Sequence, residues 1–511
     1  MVTSVRTNRR TAMDLVVIAL YIAGMIGIGF YAKTRAKTES DFLVAGRRLG
    51  PLLYSGTMAA VVLGGASTIG GVGLGYEYGI SGMWLVFAIG CGILLLSFGF
   101  ASKINRLRVY TVSQMLELRY GPGASLVSGI VMWAYTLMLA VTSTIAYGTI
   151  FGVLFDMGKV PAIILGGAVV VCYSVLGGMW SITLTDFVQF IIKTIGIFVI
   201  LLPVVLIKAG GYAGLQATLP AESFSLTTIG GGTIGTYFVI YFFGLVIGQD
   251  IWQRVFTARS DAVAKWAGGV AGFYCLLYAI AGAVIGMCAK ALLPDLTDRD
   301  DAYPAIVQYA LPAGLSGLVI AAALAAIMST SSGALIATAT VAKEDIVSVI
   351  KRKLGKGSDP SGESEAQHEA DEVRSSRWYI LVFGVITIAI ACVLGDVVAA
   401  LTIAYDILVG GLLVAIIGGM LWKRATIAGA LASIVTGTVL TVGTMIIVGD
   451  IYANSPIFAG LAGSLIAWVV GSLASKPTPQ AVRDEWEARI SAERHYSAAD
   501  AQRPADSKTP A

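Results

Sequence analysis

The sequence predicts an all-α polytopic membrane protein with about thirteen transmembrane helices, and two observations support this fold class. First, 56% of its 511 residues are hydrophobic and only 13% are charged, whereas soluble chains are about 45–50% apolar and about 25% charged. Second, the mean hydropathy is +0.80, and about 20 consecutive apolar residues span a bilayer as a helix. A soluble enzyme, a disordered chain and a receptor with a single anchor are therefore excluded.

Hydropathy divides the chain into thirteen apolar segments, with boundaries good to a few residues. They lie at about 12–32, 50–78, 81–102, 124–155, 160–179, 184–207, 233–249, 265–290, 310–342, 379–396, 398–421, 425–448 and 456–474. The first segment follows a basic N-terminus without a small-residue cleavage site. We therefore expect a retained helix there rather than a signal peptide.

Lysine and arginine residues between the segments predict an outside N-terminus and a cytoplasmic C-terminus. In this orientation, the basic residues assigned to cytoplasmic loops are Lys33, Arg35, Lys37, Arg47, Arg48, Lys103, Arg106, Arg108, Arg119, Arg254, Arg259, Lys265, Lys343, Lys351, Arg352, Lys353, Lys356, Lys423 and Arg424. The opposite loops hold few basic residues and include the acidic run DLTDRDD at 295–301. We expect a multi-pass protein of the plasma (inner) membrane, with a flexible cytoplasmic loop at 354–377 and a polar cytoplasmic tail at 475–511.

Several other classes of protein lack support in the sequence. The five cysteines stand singly in apolar stretches, and both histidines lie in polar segments, so neither a disulfide framework nor a transition-metal site inside the membrane is expected. No GxxxxGK[ST] motif occurs, which argues against an ATP-driven pump. Nothing points to a nucleic acid or to an obligate protein partner.

The second span contains an unusual concentration of glycine. Seven glycines fall within residues 64–79, with Ser67 and Thr68 among them. Each glycine inside a helix costs about 1 kcal/mol relative to alanine, so this helix is predicted to break. Transporters use such breaks near mid-membrane to coordinate ions and solutes, although close packing by small residues is the competing interpretation.

The ninth span contains four consecutive hydroxyl residues at membrane depth: Ser329, Thr330, Ser331 and Ser332. Sodium is a hard cation that prefers oxygen ligands, and hydroxyls of one helical turn plus carbonyls of a broken helix would supply them. The alternative is that each hydroxyl bonds back to a carbonyl in the preceding turn, and the sequence leaves both interpretations open.

Two acidic residues lie inside apolar runs. Asp186 stands near the start of the sixth span, with Gln189 and Lys193 at helical spacing on roughly the same face. Asp406 lies in the eleventh span. Acids within a membrane are candidates for a functional role, but Asp186 could instead lie at the membrane interface, and Asp406 in the outer vestibule.

Five motifs together resemble the sodium:solute symporter family. They are AGRRLGP before the second span, GGMWSITLTDFVQ in the sixth, GQDIWQR after the seventh, AAIMSTSSG in the ninth and LWKRATIAGALAS near the end. The resemblance runs from about residue 12 to 475. Members of the family are sodium-coupled carriers of sugars, proline, sialic acid, pantothenate or monocarboxylates, so the resemblance implies a symporter and not an enzyme.

The family implies a five-plus-five inverted-repeat (LeuT-type) transporter core, in which the first helix of each repeat is broken and the breaks meet at mid-membrane. The implied organisation is an extra N-terminal transmembrane helix at 1–32, a first repeat at 50–208, a second repeat at 233–421, two additional transmembrane helices at 425–474, and the tail at 475–511.

The family also implies Na+ as the coupling ion and a principal sodium site between the first broken helix and the eighth core helix. The positions that match this site are Ala60, Leu63, Ala326, Ser329 and Thr330. Some relatives have a second sodium site, which Asp186 and Ser332 match. A glycine, Gly333, stands at the position of its last serine, and this puts a second ion in doubt.

The solute is predicted by comparison with the family's branches. Tyr241 and Gly244 stand at the positions of the asparagine and the gating tyrosine of the sugar carriers, and this departure argues against a sugar. Val62 replaces the aspartate of the proline carriers, and 124–155 lacks the arginine of the sialic acid carriers. What remains is a compact, weakly polar and uncharged pocket formed by Gly64, Gly65, Ser67, Thr68 and Tyr241, which would suit a short monocarboxylate.

We therefore expect sodium-coupled uptake of a small organic solute, with that solute and the lipid bilayer as the partners. Another solute (pantothenate, an amino acid or a choline-like cation) and coupling to protons are the alternatives within the carrier class. A passive channel and a transporter-like sensor are alternatives from other classes. The broken-helix pattern disfavours the channel, and the short tail disfavours the sensor.

Overall fold

The computed structural model describes residues 2–155, 157–354, 365–394, 397–450 and 453–491. Within these ranges the chain is helical, and the sole strand-like pairing is one parallel bridge between Leu49 and Ala258. Ten continuous helical stretches are long and apolar enough to cross a membrane, and a bent pair of helices makes an eleventh. The polytopic all-α prediction is confirmed, while the number thirteen and the orientation of the termini stay predictions.

The membrane-spanning stretches of the described chain share high hydropathy and at least 18 residues of helix. They are Ala12–Lys33, Ala66–Leu107, Ala124–Phe151, Lys159–Lys208, Val263–Leu292, Leu315–Lys353, Gln367–Val393, Val397–Leu421, Ile427–Val448 and Ser455–Ala474. Two of them, Ala66–Leu107 and Lys159–Lys208, extend over more than one predicted apolar segment. The second of these turns at Gly178, whose φ of 54° is one that glycine adopts readily.

Shorter helices connect or cap these stretches. They are Glu39–Val44, Ala45–Arg47, Pro51–Val62, Val112–Tyr120, Gly211–Thr218, Ala221–Phe224, Arg299–Asp301, Ala302–Ala310 and Gln480–Ser491. The last of these lies in the predicted polar tail, where the side chain of Trp486 is buried and the Arg106 guanidinium donates to the carbonyl of Ile490. This part of the tail therefore packs against the helical body.

The first broken helix covers residues 51–78 and confirms the prediction from the glycine cluster. Pro51–Val62 ends at Leu63, whose φ and ψ of −101° and 65° are not helical. Helical structure resumes immediately after Gly64 and continues to Tyr78. In a continuous helix each carbonyl accepts a hydrogen bond from the amide four residues later. The carbonyls just before the break lack these donors and are therefore available to other groups.

The second broken helix covers residues 231–257 and confirms the break that the family resemblance implied. Its halves, Gly231–Ile247 and Gln249–Thr257, are bent by 40° around Gly248, which has a ψ of 133°. The end of this helix is tied to the start of the first broken helix, since the Leu49 amide donates to the Thr257 carbonyl and the Arg259 amide donates to the Leu49 carbonyl.

Leu315–Val341, here called the hydroxyl helix, is buried along nearly its whole length. It packs against Ala124–Phe155, against Lys159–Thr194 and against the first broken helix. This central position places the Ser329–Ser332 turn directly beside the first break, as the sequence predicted for an ion site.

Two predictions about loops are wrong. The helix Glu365–Val393 begins inside the predicted flexible loop 354–377, whose residues 355–364 lie outside the described ranges. Arg254 and Lys343 were assigned to loops, but both lie in helical segments and are buried. Lys343 pairs with Glu39 at 2.6 Å and with Glu372 at 2.5 Å, because a buried ammonium is tolerated only where acids compensate its charge.

Candidate functional site

The carbonyls at the first break meet the hydroxyl helix. The Ser329 hydroxyl lies 2.8 Å from the Ala60 carbonyl oxygen and 2.9 Å from that of Ala326. The Thr330 hydroxyl donates to the Val61 carbonyl at 2.5 Å. We call Ala60, Leu63, Ala326, Ser329 and Thr330 the oxygen cage, and the structure brings these five predicted residues to one place between two helices.

The sequence left open whether the four consecutive hydroxyls face the broken helix, as an ion site requires, or bond back within their own helix. The structure shows both kinds of contact. Ser329 and Thr330 reach across to the first broken helix, as an ion site requires. Ser332 bonds back to the carbonyl of Ser329, and Ser331 lies 3.3 Å from the Thr144 hydroxyl. The run is therefore a contact between helices and not only a set of local back-bonds.

Two glycines at the break are required by close packing. A Cβ atom at Gly64 would collide with the Thr330 hydroxyl, and one at Gly65 would lie 2.6 Å from the Cβ atom of Ala146. The packing interpretation of the glycine cluster is therefore correct at these positions. It is compatible with a site, since the same close approach lets Thr330 reach the Val61 carbonyl.

A side-chain cation lies against the oxygen cage. The ammonium of Lys193 is 3.3 Å from the carbonyl oxygen of Ala60 and 3.3 Å from that of Leu63. Lys193 is 0% exposed and comes from the helix that also holds Asp186. In this arrangement, two of the five cage residues already contact the Lys193 ammonium. The cage as it stands therefore does not fit an additional sodium ion.

Asp186 is held by a second buried cation. Its Oδ2 atom accepts from the Thr57 hydroxyl at 2.6 Å and from the Arg254 guanidinium at 3.2 Å, and both members of the ion pair are 0% exposed. A Cβ atom at Gly333 would lie 2.6 Å from the Arg254 guanidinium. Arg254 therefore stands beside the position of the missing serine, where it compensates the charge of Asp186.

A cavity opens beside the first break. Its space, including the part open to solvent, is about 370 Å³. The lining residues come from both broken helices and from four neighbouring helices: Val61, Val62, Gly64, Gly65, Ala66, Ser67, Ile89, Leu139, Thr142, Ser143, Asp250, Thr330, Leu401 and Tyr405. Three predicted solute residues, Gly64, Gly65 and Ser67, are among them.

The prediction of an uncharged pocket is wrong, because Asp250 lines the cavity. Its Oδ1 atom accepts a hydrogen bond of 2.9 Å from the Tyr135 hydroxyl, and the residue is 2% exposed. Sequence reasoning placed GQDIWQR after a span, since its charged residues suggest a loop. The signal that could have located Asp250 was Gly248, two residues before it, at the break that the family resemblance implied.

Two of the predicted solute residues do not line the cavity. The hydroxyl of Thr68 is 2.7 Å from that of Tyr278. The hydroxyl of Tyr241 is 3.3 Å from that of Thr402, and its ring packs edge-on against the ring of Tyr405. Thr68 and Tyr241 therefore stand behind the lining residues and can influence the cavity only through them.

Asp406 is 1% exposed, so it does not lie in an open outer vestibule. Neither carboxylate oxygen has a hydrogen-bond partner among the described residues. Its neighbour in the chain, Tyr405, lines the cavity, whereas Asp406 itself does not. The structure thus places this acid in the helical body, apart from the oxygen cage and the cavity lining.

Two broken helices that meet beside a buried, partly polar cavity are the arrangement found in secondary transporters. The chain belongs to the sodium:solute symporter family, whose model matches residues 42–437. It is accordingly a membrane transporter and not an enzyme, and sodium is the coupling ion of this family.

The matches to curated proteins extend over nearly the whole chain. The sodium/pantothenate symporter of Escherichia coli (strain K12) is 25% identical over 492 residues, which cover 91% of this chain and 97% of that protein. The sodium/proline symporter of Staphylococcus aureus (strain JH9) is 25% identical over 498 residues, which cover 90% of this chain and 93% of that protein.

A solved structure confirms the class of fold. A sodium-coupled sialic acid symporter in a substrate-bound, outward-open state superposes with a TM-score of 0.72 and covers 92% of this chain and 99% of its own. The two sequences are 18% identical, so this likeness concerns the fold alone.

Proposed function

We propose that the protein is a sodium-coupled symporter for the uptake of a short monocarboxylate that carries a hydroxyl or amino group. The observation that supports this proposal is the cavity at the first break, whose lining includes both the N-terminal turn of a helix and the Asp250 carboxylate. The proposal keeps the solute class that the sequence predicted and adds a second polar group to it.

The solute's carboxylate would bind at the second half of the first broken helix. Gly65, Ala66 and Ser67 form the first turn of that half, line the cavity and include no acidic residue. The N-terminal end of a helix carries partial positive charge and unpaired amide groups. Discontinuous helices in transporters use this end to hold anionic groups of their solutes.

The hydroxyl or amino group would bind to Asp250. A carboxylate accepts hydrogen bonds and attracts a cation, and Tyr135 holds this one in place. Because the cavity lining contains Asp250 and neither lysine nor arginine, a solute with a carboxylate alone would lack a partner at this end. We therefore expect hydroxy acids and small amino acids to bind better than acetate.

The lining of the cavity supports a small solute of limited polarity. Most of the lining is aliphatic or glycine, which leaves few hydrogen-bonding groups for a sugar. Pantothenate, proline and sialic acid are what the relatives' names state, and the first two are small carboxylates.

The proposed ion position is the oxygen cage of Ala60, Leu63, Ala326, Ser329 and Thr330, once the Lys193 ammonium has left the carbonyls of Ala60 and Leu63. Its contacts connect the first broken helix to the hydroxyl helix, so a bound cation would favour the conformation in which these helices lie together. A ligand shifts a conformational equilibrium by its difference in affinity for the two states. Because Asp186 pairs with Arg254, we propose no second sodium at Asp186 and Ser332.

The proposed setting is the plasma (inner) membrane, with the N-terminus outside and the C-terminus in the cytoplasm, as the distribution of basic residues predicts. The repeats would comprise residues 50–208 and 233–421, with additional helices at 1–32 and 425–474. Uptake would then carry the solute from the outer face to the cytoplasm.

Uptake into proteoliposomes tests this function. We would screen acetate, propionate, pyruvate, lactate, pantothenate, proline, choline and glucose with a sodium gradient and with a matched potassium gradient. Lactate or proline should be taken up at least about tenfold better than acetate, since a charge-assisted hydrogen bond contributes about 1.5–3 kcal/mol. That uptake should depend on sodium.

Asp250→Asn tests the assignment within the cavity. The variant should reduce the preference for lactate or proline over acetate, while the charged-to-neutral control Asp261→Asn, at the cytoplasmic pair with Arg106, should keep it. The proposal is wrong if choline or glucose is the best solute, or if transport is equally fast without sodium.

A further inference from the structure

We propose that Lys193 is a tethered cation that competes with sodium for the oxygen cage. The inference rests on the proposed function, because it takes the cage to be the place where the coupling ion binds. In the ion-free carrier the Lys193 ammonium occupies the carbonyls of Ala60 and Leu63, and sodium binds there only by displacing it.

The geometry of the Ala60 carbonyl supports this competition. Its oxygen lies 2.8 Å from the Ser329 hydroxyl and 3.3 Å from the Lys193 ammonium. A carbonyl oxygen has two lone pairs, so these two donors use its capacity. The Leu63 carbonyl contacts the same ammonium at 3.3 Å. Sodium needs these oxygens as ligands, and it cannot share them with a second cation at hydrogen-bonding distance.

The balance of buried charge points the same way. Four charged residues around the break are at most 2% exposed: the acids Asp186 and Asp250 and the bases Lys193 and Arg254. Arg254 forms the ion pair with Asp186, and the charges of the four sum to zero without a bound ion. A sodium ion added beside an unmoved Lys193 would leave an uncompensated positive charge in a medium of low dielectric constant.

An aromatic ring attracts the Lys193 ammonium in addition to the two carbonyls. The ammonium lies 5.8 Å from the centre of the Tyr278 ring, and an aromatic face attracts a cation within about 6 Å. The flexible four-carbon stem of lysine lets the ammonium move away from the carbonyls without a change in the backbone. The ammonium can therefore leave the carbonyls when sodium arrives and return to them when sodium dissociates.

This arrangement would serve the return step of the transport cycle. A symporter must change conformation again after it has released its ion and solute, and a cage of unpaired buried carbonyls is costly in that state. Lys193 would supply the missing charge and connect the Ala60 and Leu63 carbonyls to its own helix, Lys159–Thr194. Lys193 is thus a residue that sets the sodium affinity, and it is not a solute ligand.

Direct measurement of sodium binding tests the proposal without knowledge of the solute. Purified protein in detergent would be titrated with sodium at constant pH and ionic strength, with potassium as the replacement ion, and the thermal shift or binding heat recorded. Lys193→Met removes the ammonium group and keeps an unbranched side chain that is shorter by one heavy atom. It should bind sodium at least about tenfold more tightly than the wild type, because a competitor held by two charge-assisted contacts is gone.

The controls separate this effect from a general change in the protein. Lys208→Met removes an exposed lysine later in the same helical stretch and should leave the sodium affinity unchanged. Adding Ser329→Ala to Lys193→Met should abolish the gain, since Ser329 belongs to the cage. Lys193→Gln provides a second uncharged variant if Lys193→Met proves unstable.

The proposal is overturned if neither Lys193→Met nor Lys193→Gln binds sodium more tightly than the wild type. It is also overturned if none of the proteins binds sodium. Failure of the proposed function has a different signature, which is the absence of sodium-dependent uptake of every solute while the uncharged variants still gain sodium affinity.

Discussion

The two broken helices contribute different chemistry to the region around the first break. The first supplies backbone: the carbonyls of Ala60 and Leu63 contact a cation, and Gly64 and Gly65 allow close packing. The second supplies charge, since its short half Gln249–Thr257 is wholly buried and holds Asp250 and Arg254. Ion contact and charge compensation therefore reside on separate helices, and mutations can separate them.

The largest effect on stability is expected for the charged residues of the second broken helix. Arg254→Met would leave Asp186 fully buried without its cation, and removing one partner of a buried ion pair costs about 3–5 kcal/mol. We expect a decrease of that size in the free energy of unfolding, measured by thermal or denaturant unfolding in detergent.

The exposed Arg259 provides a matched control, since Arg259→Met should unfold like the wild type. The double variant Asp186→Leu/Arg254→Met should recover part of the loss, because it removes both charges. Wild-type stability of Arg254→Met alone would show that charge on the second broken helix does not hold the helices together.

A smaller effect on stability is expected at the break of the first broken helix. Gly64→Ala would place a methyl group against the Thr330 hydroxyl, and overpacking of this kind costs about 1–3 kcal/mol. It should also weaken sodium binding, since Thr330 belongs to the cage. Both quantities can be measured on the same purified protein.

Gly70→Ala is the control from the same helix. The atom nearest to a Cβ there is 3.5 Å away, in Val398, which is ordinary contact. Alanine has the higher helix propensity by about 1 kcal/mol, so Gly70→Ala should be neutral or stabilising. If both variants behaved alike, close packing at the break would not explain the glycine cluster.

The smallest effects are expected at Thr68 and Tyr241, one on each broken helix. Thr68→Val and Tyr241→Phe each remove one hydroxyl that contacts another hydroxyl behind the cavity, so each should cost about 0.5–1.5 kcal/mol of stability. The apparent affinity for the solute in uptake assays should change less than about threefold. A loss of tenfold or more at either position would place that residue in contact with the solute.

The sequence anticipated the oxygen cage better than it anticipated the cavity. Ala60, Leu63, Ala326, Ser329 and Thr330 were located from a local pattern, namely a glycine-weakened helix and a run of hydroxyls, together with the family resemblance. The solute side depends on groups far apart in the chain, such as Asp250 and Tyr135. The predicted pocket combined four residues of the first broken helix with Tyr241 and omitted Asp250 beyond the second break, and this is why it was predicted to be uncharged.

Composition and local pattern by themselves determined that the chain is a polytopic helical membrane protein and that its second span is broken. These properties follow from short stretches, because the cost of burying polar groups in lipid and the cost of glycine in a helix act locally. Only the tertiary structure decided which charges meet. It turned Arg254 inward to Asp186 and placed the Lys193 ammonium on the carbonyls of the predicted sodium site. Pairing of buried charges depends on distances between helices, and no spacing along one helix reveals it.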